Sequence, residues 1–367
     1  MTDWPAIDFG HTAPDAAFQR GDVYDVGVKA DRAAKRRLRI GIAGCGGVAQ
    51  AKWLPAIRRL QTIGEPVDIV GVTDANRENA DKMAALGGTT AYPDLVRLIA
   101  DGAPDLILIL ASDAAHGPLA REAIDAGIAC LVEKPLTRTF AEATDLVRLA
   151  AERNVALAAV ANKRFSPPYA MARALVERGA LHTAPTVFTG KFTLGYGYVD
   201  ILEGGTVHLI DLMLWFMGPV GRIHARGIDT ADGRLESAVV SFAFESGAIG
   251  TIMTSTAGLS FKPWERVEIF GRNAFIVVDD QIETTLHDEE TGPAKSWRPT
   301  VPNTLMFDES FGGYSGLLEN VLDAVRGLAP LGTSGADGAA AVGVIEAIRL
   351  SLAEKREIDM AAEGLVP

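Results

Sequence analysis

The chain has 367 residues, 48% hydrophobic and 22% charged, which is typical of a folded globular protein long enough for two domains. Its 47 Asp and Glu outnumber its 35 Lys and Arg, and the net charge of -12 argues against nucleic-acid or anionic-membrane partners. No apolar run approaches the ~18 residues of a membrane span. Cys45 and Cys130 lie in apolar segments and are predicted to be reduced, buried thiols, which favours a cytoplasmic protein.

Residues 1–36 are predicted to form either a disordered tail or an arm that lies on a neighbouring subunit. They mix Pro, Asp, Gly and Ala with scattered aromatic residues such as Trp4 and Tyr24, and they contain no hydrophobic signal core. The aromatic side chains favour the arm.

Between residues 37 and 161, continuous apolar runs alternate with amphipathic stretches. The predicted strands are Leu38–Ala43, Ile69–Thr73, Leu106–Leu110, Ala129–Glu133 and Ala156–Ala161. The predicted helices lie near Val48–Gln61, Arg77–Leu86, Asp94–Ala100, Gly117–Ala126 and Phe140–Arg153. This rhythm predicts an α/β Rossmann domain, in which a doubly wound parallel sheet is covered on both faces.

From residue 162 to residue 367 the pattern predicts a second, α+β domain with an open, mainly antiparallel sheet. Strands with alternating polar and apolar residues are predicted at Thr186–Phe192, Ile223–Ile228, Ala238–Phe244, Ala248–Ser255, Val267–Phe270, Phe275–Val278 and Glu283–Leu286. Helices are predicted at Pro168–Arg178, Thr206–Met217, Ser315–Arg326 and Ala339–Leu352.

The segment Gly44-Cys45-Gly46-Gly47-Val48-Ala49 follows the first predicted strand and opens the first helix. Gly44 permits the tight turn, Gly46 lets the backbone approach a pyrophosphate, and Ala49 is small enough for close helix packing. The helix N-terminus offers free N–H groups and about half a positive charge to phosphate. The segment therefore predicts a dinucleotide site, the alternative being a turn that only connects strand to helix.

Asp74 ends the second predicted strand, where its carboxylate can accept hydrogen bonds from a ribose diol and repel a 2′-phosphate. This favours NAD over NADP, although Arg77 is close enough in sequence to weaken the inference. Residues 73–76 could instead form a simple helix-capping loop.

Lys134 lies at the carboxyl end of a predicted strand in Leu131-Val132-Glu133-Lys134-Pro135. Ligands bind at this edge of open α/β sheets, and a buried lysine tip is costly unless it is paired, bound or used. Beside a nicotinamide it could take a hydroxyl proton while hydride leaves the substrate carbon. Alternatively, Lys134 pairs with Glu133 or a ribose hydroxyl and positions the ligand. The chemistry alone leaves both possibilities open.

His208 and Asp211 are three residues apart on one predicted helix, so both can face the same cleft. A histidine can share proton transfer or hold a substrate hydroxyl, and an aspartate can orient that histidine. The alternative is that Asp211 supports a core histidine. The sequence shows no cluster with convincing metal-ligand spacing, so no metal is predicted.

These motifs, in this order, resemble the Gfo/Idh/MocA oxidoreductases over about residues 37–358. Besides the glycine turn and Asp74, the resemblance rests on Ala114-Ala115-His116, Glu133-Lys134-Pro135-Leu136, Lys163-Arg164-Phe165-Ser166-Pro167 and His208-Leu209-Ile210-Asp211. It implies a Rossmann domain followed by an α+β domain whose open sheet often forms dimer or tetramer interfaces. It also implies an NAD(P)-dependent dehydrogenase that acts on a hydroxyl or ketone of a sugar, cyclitol or glycoside.

The resemblance implies that Lys134 is the acid/base or its close partner, that His208 assists it, and that Asp211 binds substrate. The predicted cofactor contacts are Gly44, Gly46, Gly47, Val48, Ala49, Asp74, Arg77, Ser112, His116, Glu133, Lys134 and Arg164. The predicted substrate contacts are Lys134, Lys163, Tyr196, His208 and Asp211. For Arg164, a salt bridge between domains is nearly as plausible as a ligand contact.

One position departs from the family pattern. Many members carry an aspartate four residues before the histidine, whereas this chain has Gly204. Glu203 or Asp200 could replace that carboxylate, or Lys134 and His208 could suffice.

Two other functions stay open at this stage. The missing aspartate leaves room for an NAD-using glycosidase or lyase that oxidises its substrate transiently. A non-catalytic, nucleotide-sensing regulator is the other alternative, although retention of both Lys134 and His208 argues against it. Aromatic residues near the histidine could stack on a sugar ring, or could belong to the core or an interface: Tyr196, Tyr198 and Trp264.

Overall fold

A computed structural model describes Arg32 and residues 34–195, 200–259, 263–288, 292–299 and 311–366. Most of the predicted N-terminal arm lies outside the described residues, as do Tyr196 and Tyr198. The chain divides into two compact units. The parallel-sheet unit contains Arg32 and residues 34–166 and 311–339; the antiparallel-sheet unit contains the described residues between 167 and 299 and residues 340–366.

The parallel-sheet unit is built on a five-stranded sheet in the order β2-β1-β3-β4-β5, with all neighbouring strands parallel. The strands are β1 Leu38–Ala43, β2 Val67–Thr73, β3 Leu106–Ile109, β4 Ala129–Val132 and β5 Leu157–Ala159. All four residues of β3 are fully buried, as a sheet covered on both faces requires. The predicted Rossmann-type domain is confirmed.

The helices between these strands are α1 Leu54–Thr62, α2 Arg77–Gly87, α3 Leu95–Gly102, α4 Asp113–Asp125 and α5 Phe140–Arg153. The predicted bounds of α5 agree with the structure, because Thr139 accepts a hydrogen bond from the Glu142 backbone N–H at its start and Asn154 takes a left-handed conformation at its end. The predicted start of α4 at Gly117 was wrong. The helix begins four residues earlier, so His116 lies within it.

The predicted single helix after the glycine turn has two parts. Residues Ala49–Trp53 form a π-helical segment, and α1 follows directly from Leu54. A second π-helical segment, Leu202–Thr206, precedes helix α7 (Val207–Met217) in the antiparallel-sheet unit. Segments of this kind are frequent at functional sites, and both lie beside motifs that the sequence singled out.

Helix α8 (Tyr314–Val325) belongs to the parallel-sheet unit, although the sequence prediction placed everything after residue 161 in the second domain. Leu317, Leu318, Val321 and Leu322 of α8 are fully buried in the same core as the strands. The chain therefore returns to its first unit after passing through the second.

The antiparallel-sheet unit has nine strands in the order β13-β12-β11-β10-β6-β9-β8-β7-β14. The strands are β6 Val187–Thr193, β7 Val220–Asp229, β8 Leu235–Phe244, β9 Ile249–Ser255, β10 Trp264–Phe270, β11 Phe275–Asp279, β12 Glu283–His287, β13 Lys295–Trp297 and β14 Ile358–Asp359. β6 and β9 pair in parallel and the other neighbours are antiparallel, so the predicted mainly antiparallel sheet is confirmed. The short strands β13 and β14 were missed.

The helices of this unit are α6 Pro167–Glu177 and α7 Val207–Met217, and α9 spans Gly335–Glu354 across the division of the chain. Alternate residues of β8, such as Val240 and Phe242, are buried in a core with Leu209 and Ile345 from the helices. Val239, which precedes Val240 on the same strand, is exposed, so one face of the sheet is apolar and covered while the other carries exposed side chains.

Candidate active site

The glycine turn lies between β1 and the first helical segment, and its glycines serve different purposes. Gly44 has a φ of +98°, and a Cβ added to it would lie 2.3 Å from the backbone nitrogen of Ala111. A side chain is therefore excluded at Gly44 by conformation and by packing. A Cβ added at Gly46 or Gly47 would meet nothing within 4 Å. These two glycines border open space, which fits the close approach of a pyrophosphate to the backbone.

The helix after the turn contributes two other predicted residues. Val48 is 48% exposed at the mouth of the turn, whereas Ala49 is fully buried. The side-chain amide of Gln50 donates to the Cys45 carbonyl at 2.7 Å and braces the turn from the helix.

Asp74 follows β2 and connects the ends of the first two strands. Its Oδ2 accepts a hydrogen bond from the backbone N–H of Cys45 at 2.6 Å, and its Oδ1 accepts one from Asn76 at 2.7 Å. Asn76 caps α2, and Arg77 forms an exposed ion pair with Asp81 at 2.7 Å. Asn76 is therefore the residue that caps α2. Asp74 lies beside the glycine turn, where a carboxylate that binds a ribose is expected.

Both cysteines are free and buried, in agreement with the sequence prediction. Burial raises the pKa of the Cys45 thiol to about 12, and the negative charge of Asp74 adds to the shift. Burial alone raises the pKa of Cys130 to about 12. Neither thiol is therefore suited to nucleophilic chemistry.

His116 connects the segments that follow β3 and β4. Its Nδ1 lies 2.7 Å from the Pro135 carbonyl oxygen and its Nε2 lies 3.1 Å from that of Ala111, and the residue is 1% exposed. Both ring nitrogens therefore face acceptors within the protein. The neighbouring Ser112 is exposed and makes no side-chain capping bond at the start of α4.

Lys134 follows β4 at the carboxyl edge of the sheet, as predicted, and is half-buried. Its backbone N–H donates to Oε2 of Glu133 at 3.0 Å, and the other oxygen of Glu133 accepts from the Trp53 indole N–H at 2.8 Å. Glu133 is 7% exposed. The carboxylate is held by the indole and by the lysine backbone.

Lys163 and Arg164 lie in a 3₁₀ turn, Asn162–Phe165, directly after β5, and both are 8% exposed. Arg164 donates to the Gly332 carbonyl at 3.2 Å and forms an ion pair with Asp337 at 3.1 Å. Burial acts to raise the pKa of Asp337, but the Arg164 charge and hydrogen bonds from Ser334 leave that pKa below its usual range. This ion pair lies inside one unit, so it differs from the salt bridge between domains that the sequence analysis weighed against ligand contact.

These positions share one edge of the parallel sheet. The glycine turn, Asp74, Lys134 and Lys163 follow β1, β2, β4 and β5, and the carboxyl ends of parallel strands meet at the same edge. In open α/β sheets a dinucleotide binds across this edge. The residues present therefore fit NAD, with the phosphates over the glycine turn and the adenosine ribose toward Asp74.

In the antiparallel-sheet unit, His208 and Asp211 lie on the first turns of α7. His208 is half-buried and Asp211 is 6% exposed. Gly204 lies in the π-helical segment before them, with Gly205 packed so tightly that an added Cβ would lie 2.0 Å from Cε1 of Phe192. Packing against Phe192 therefore requires a glycine at position 205.

Two carboxylates near Gly204 were candidates to replace the family's aspartate. Asp200 accepts hydrogen bonds from the backbone N–H groups of Leu202 and Glu203, at 2.9 and 3.1 Å, and so caps the π-helical segment. Arg349 lies 3.1 Å from Asp200 and 2.7 Å from Glu203. Both carboxylates are therefore paired with a cation that sequence reasoning missed.

Two further properties bear on function. The described residues contain no group of three His, Cys, Asp or Glu side chains placed to hold a metal ion. Among the helices of the described residues, none combines the length and the apolar character that a membrane span needs. Trp264, one of the three aromatic residues that the sequence analysis considered for ring stacking, begins β10 and is 36% exposed.

A Rossmann unit with a glycine turn and a lysine at the carboxyl edge of its sheet fits a nucleotide-dependent oxidoreductase. Residues 38–161 match the Gfo/Idh/MocA model described as an oxidoreductase family with an NAD-binding Rossmann fold, and residues 201–360 match the model for the family's C-terminal α/β domain. The chain belongs to the Gfo/Idh/MocA oxidoreductase family. The predicted enzyme class, an NAD(P)-dependent dehydrogenase with NAD as cofactor, is confirmed.

Individual relatives extend over most of the chain. Myo-inositol 2-dehydrogenase of Thermotoga maritima is 26% identical over 342 residues, covering 88% of this chain and 98% of that protein. UDP-N-acetylglucosamine 3-dehydrogenase of Acidithiobacillus ferrooxidans is 28% identical, covering 68% and 76%. An oxidoreductase from Agrobacterium radiobacter, crystallised with NAD⁺, L-tartaric acid and magnesium, has a TM-score of 0.79 at 19% identity, covering 89% and 100%, and so shares the fold.

Proposed function

We propose that this protein is an NAD-dependent dehydrogenase that converts one hydroxyl of a sugar, cyclitol or sugar derivative to a ketone, or the reverse. The observation that carries the proposal is the position of Lys134 at the edge of the sheet that also bears the glycine turn and Asp74. The names of the relatives, which include an inositol dehydrogenase and a nucleotide-sugar dehydrogenase, support a polyhydroxylated substrate.

In the proposed reaction, the substrate carbon loses a hydride to the bound nicotinamide, which supplies the two-electron acceptor. The hydroxyl proton passes to Lys134, which must be an unprotonated amine at that moment and is the proton donor in the reverse direction. His208 assists by holding the same hydroxyl, and Asp211 binds a second substrate hydroxyl. Both residues lie on the first turns of α7 and can face the substrate together.

The test is nicotinamide reduction, followed by absorbance, in the presence of NAD and a panel of sugars and cyclitols. Lys134→Met is expected to lower kcat by about a hundredfold to ten-thousandfold, the usual effect of removing an acid/base group, and to leave NAD affinity within about threefold. Lys82→Met is the matched control, because Lys82 is an exposed lysine on α2. Full turnover by Lys134→Met would show that the lysine is not the proton acceptor.

The same panel separates the remaining alternatives. Release of an aglycone without net NADH would support a glycosidase or lyase that oxidises its substrate only transiently. Binding of NAD with no turnover of any kind would support a nucleotide-sensing regulator.

We further propose that a second copy of this chain covers the exposed face of the nine-stranded sheet. Three large apolar side chains there are more than half exposed: Ile228, Val239 and Ile249. Val239 pairs across the strands with Met253 on one side and Arg226 on the other, so the patch continues over β7, β8 and β9. Val239→Glu is expected to lower the mass measured by light scattering, and an unchanged mass would contradict the proposal.

A further inference from the structure

Glu133 is a buried carboxylate held by neutral groups. It accepts one hydrogen bond from the Trp53 indole at 2.8 Å and one from the Lys134 backbone at 3.0 Å. Neither of these donors carries a charge. A buried negative charge is stabilised by a positive charge placed close to it. The carboxylate is therefore complementary to a cationic group that approaches it.

Trp53 fixes the position of this carboxylate. The indole is fully buried at the end of the π-helical segment that follows the glycine turn. Tyr314 packs against it edge-on, with ring centroids 5.3 Å apart and planes at 88°. Burial raises the pKa of Tyr314, and the negative charge of Glu133 adds to that shift. The indole N–H thus stays directed at Glu133 in a confined, weakly screened environment.

The position of Glu133 relative to the nucleotide turn follows from the sheet order. Asp74 follows β2 on one side of β1, so the adenosine half of a dinucleotide extends to that side. The nicotinamide half must then extend over β3 and β4, and Glu133 directly follows β4. This step rests on the proposed function, because it assumes that NAD occupies the edge.

We propose that Trp53 is a positioning residue that holds Glu133 as an electrostatic selector for the oxidised cofactor. The oxidised nicotinamide ring carries a positive charge and the reduced ring is neutral, so a fixed carboxylate nearby stabilises NAD⁺ relative to NADH. Attraction of this kind is strong where screening by water is weak. The selector makes the reduced cofactor the weaker ligand, which favours release of NADH.

The test compares dissociation constants of NAD⁺ and NADH by calorimetry for the full chain and three variants. Glu133→Gln keeps an acceptor for the Trp53 indole and removes the charge. It is expected to raise the ratio of the NAD⁺ constant to the NADH constant by about tenfold. Trp53→Phe keeps a packed ring without the N–H and is expected to raise the ratio by about threefold. Trp215→Phe is the matched control, since its ring packs on Phe216 and Arg173, and should leave the ratio unchanged.

The ratio separates this role from a structural one, because damage to the fold would weaken both nucleotides together. An unchanged ratio in a folded Glu133→Gln variant would overturn the inference, and so would an equal loss of both affinities. If that variant does not fold, Trp53→Phe decides in the same way. Failure of the unmodified chain to bind either nucleotide would overturn the proposed function as well, whereas normal binding without turnover of any sugar would overturn the proposed function alone.

Discussion

The two units hold their predicted site residues by different kinds of contact. In the parallel-sheet unit, neutral buried groups fix Glu133, and His116 connects two strand ends. In the antiparallel-sheet unit, the carboxylates near His208 pair with Arg349, whose side chain is 40% exposed. Buried hydrogen bonds are expensive to break, whereas exposed ion pairs contribute little and rearrange easily. By these contacts the parallel-sheet unit is the more rigid side and the antiparallel-sheet unit the more adjustable side.

The largest effects are expected in the glycine turn of the rigid unit. Gly44→Ala forces a positive φ and places the Cβ 2.3 Å from the Ala111 nitrogen, so the free energy of unfolding should fall by about 4 kcal/mol or more. Gly46→Ala meets no neighbour, so it should lose less than about 1 kcal/mol. Both variants should bind NAD weakly. Urea unfolding and calorimetry measure the two quantities, and equal stability of both variants would contradict the distinction.

A second effect concerns the pH dependence of the parallel-sheet unit. Burial is the largest cause that raises the pKa of Glu319 from 4.5 to about 8. The positive charges of Arg32, 2.8 Å away, and of Lys35 act to lower this pKa, whereas the negative charges of Glu65 and Asp323 act to raise it. A carboxyl with a raised pKa in the folded state binds its proton more tightly there than in the unfolded chain. The associated stability is therefore complete below about pH 4.5 and is lost as pH rises to about 8.

Glu319→Gln removes this titration. The free energy of unfolding of the unmodified chain should decrease between pH 5 and pH 8 by about 1–3 kcal/mol more than that of the variant. Urea titrations at both pH values measure the difference. Glu78→Gln provides the control, because Glu78 is an exposed residue in the first turn of α2. Parallel pH profiles for all three proteins would refute the role of Glu319.

A third prediction tests packing on the adjustable side. Gly205→Ala places a Cβ 2.0 Å from Cε1 of the buried Phe192, and this overpacking should cost about 1–3 kcal/mol. Phe192→Leu should recover part of that loss when the two substitutions are combined. A double-mutant cycle by urea unfolding gives the coupling, and strictly additive effects would show that the two side chains do not compete for space.

The sequence was sufficient for the fold wherever the signal was local. Continuous apolar runs predicted the parallel strands, and the amphipathic stretch Phe140–Arg153 predicted the bounds of α5. The π-helical segments were missed because a one-residue change in hydrogen bonding leaves the apolar pattern nearly unchanged. The position of α8 was missed because an amphipathic pattern shows that a face is buried but not against which core.

The residues of the candidate site also divide into those with a local sequence signal and those without one. Gly44, Asp74 and Lys134 could be predicted because each belongs to a short motif. Trp53 lies 80 residues before Glu133, and its position in an apolar helix face indicates only core. Arg349 lies more than a hundred residues after Asp200. Such partners depend on the tertiary structure, and no spacing in the sequence encodes them.

The smallest effect is expected at Arg349 itself. Arg349→Met releases Asp200 and Glu203, but a partly exposed pair should contribute only about 0.2–1 kcal/mol to the free energy of unfolding. If these carboxylates support the substrate side, the variant should change KM for the sugar by about two- to fivefold and leave the NAD dissociation constant unchanged. Arg222→Met is the control, since Arg222 lies in an exposed ion pair with Glu357. Equal KM values for both variants would mean that substrate binding does not depend on these carboxylates. A changed NAD affinity would mean that the carboxylates do not act on substrate binding alone.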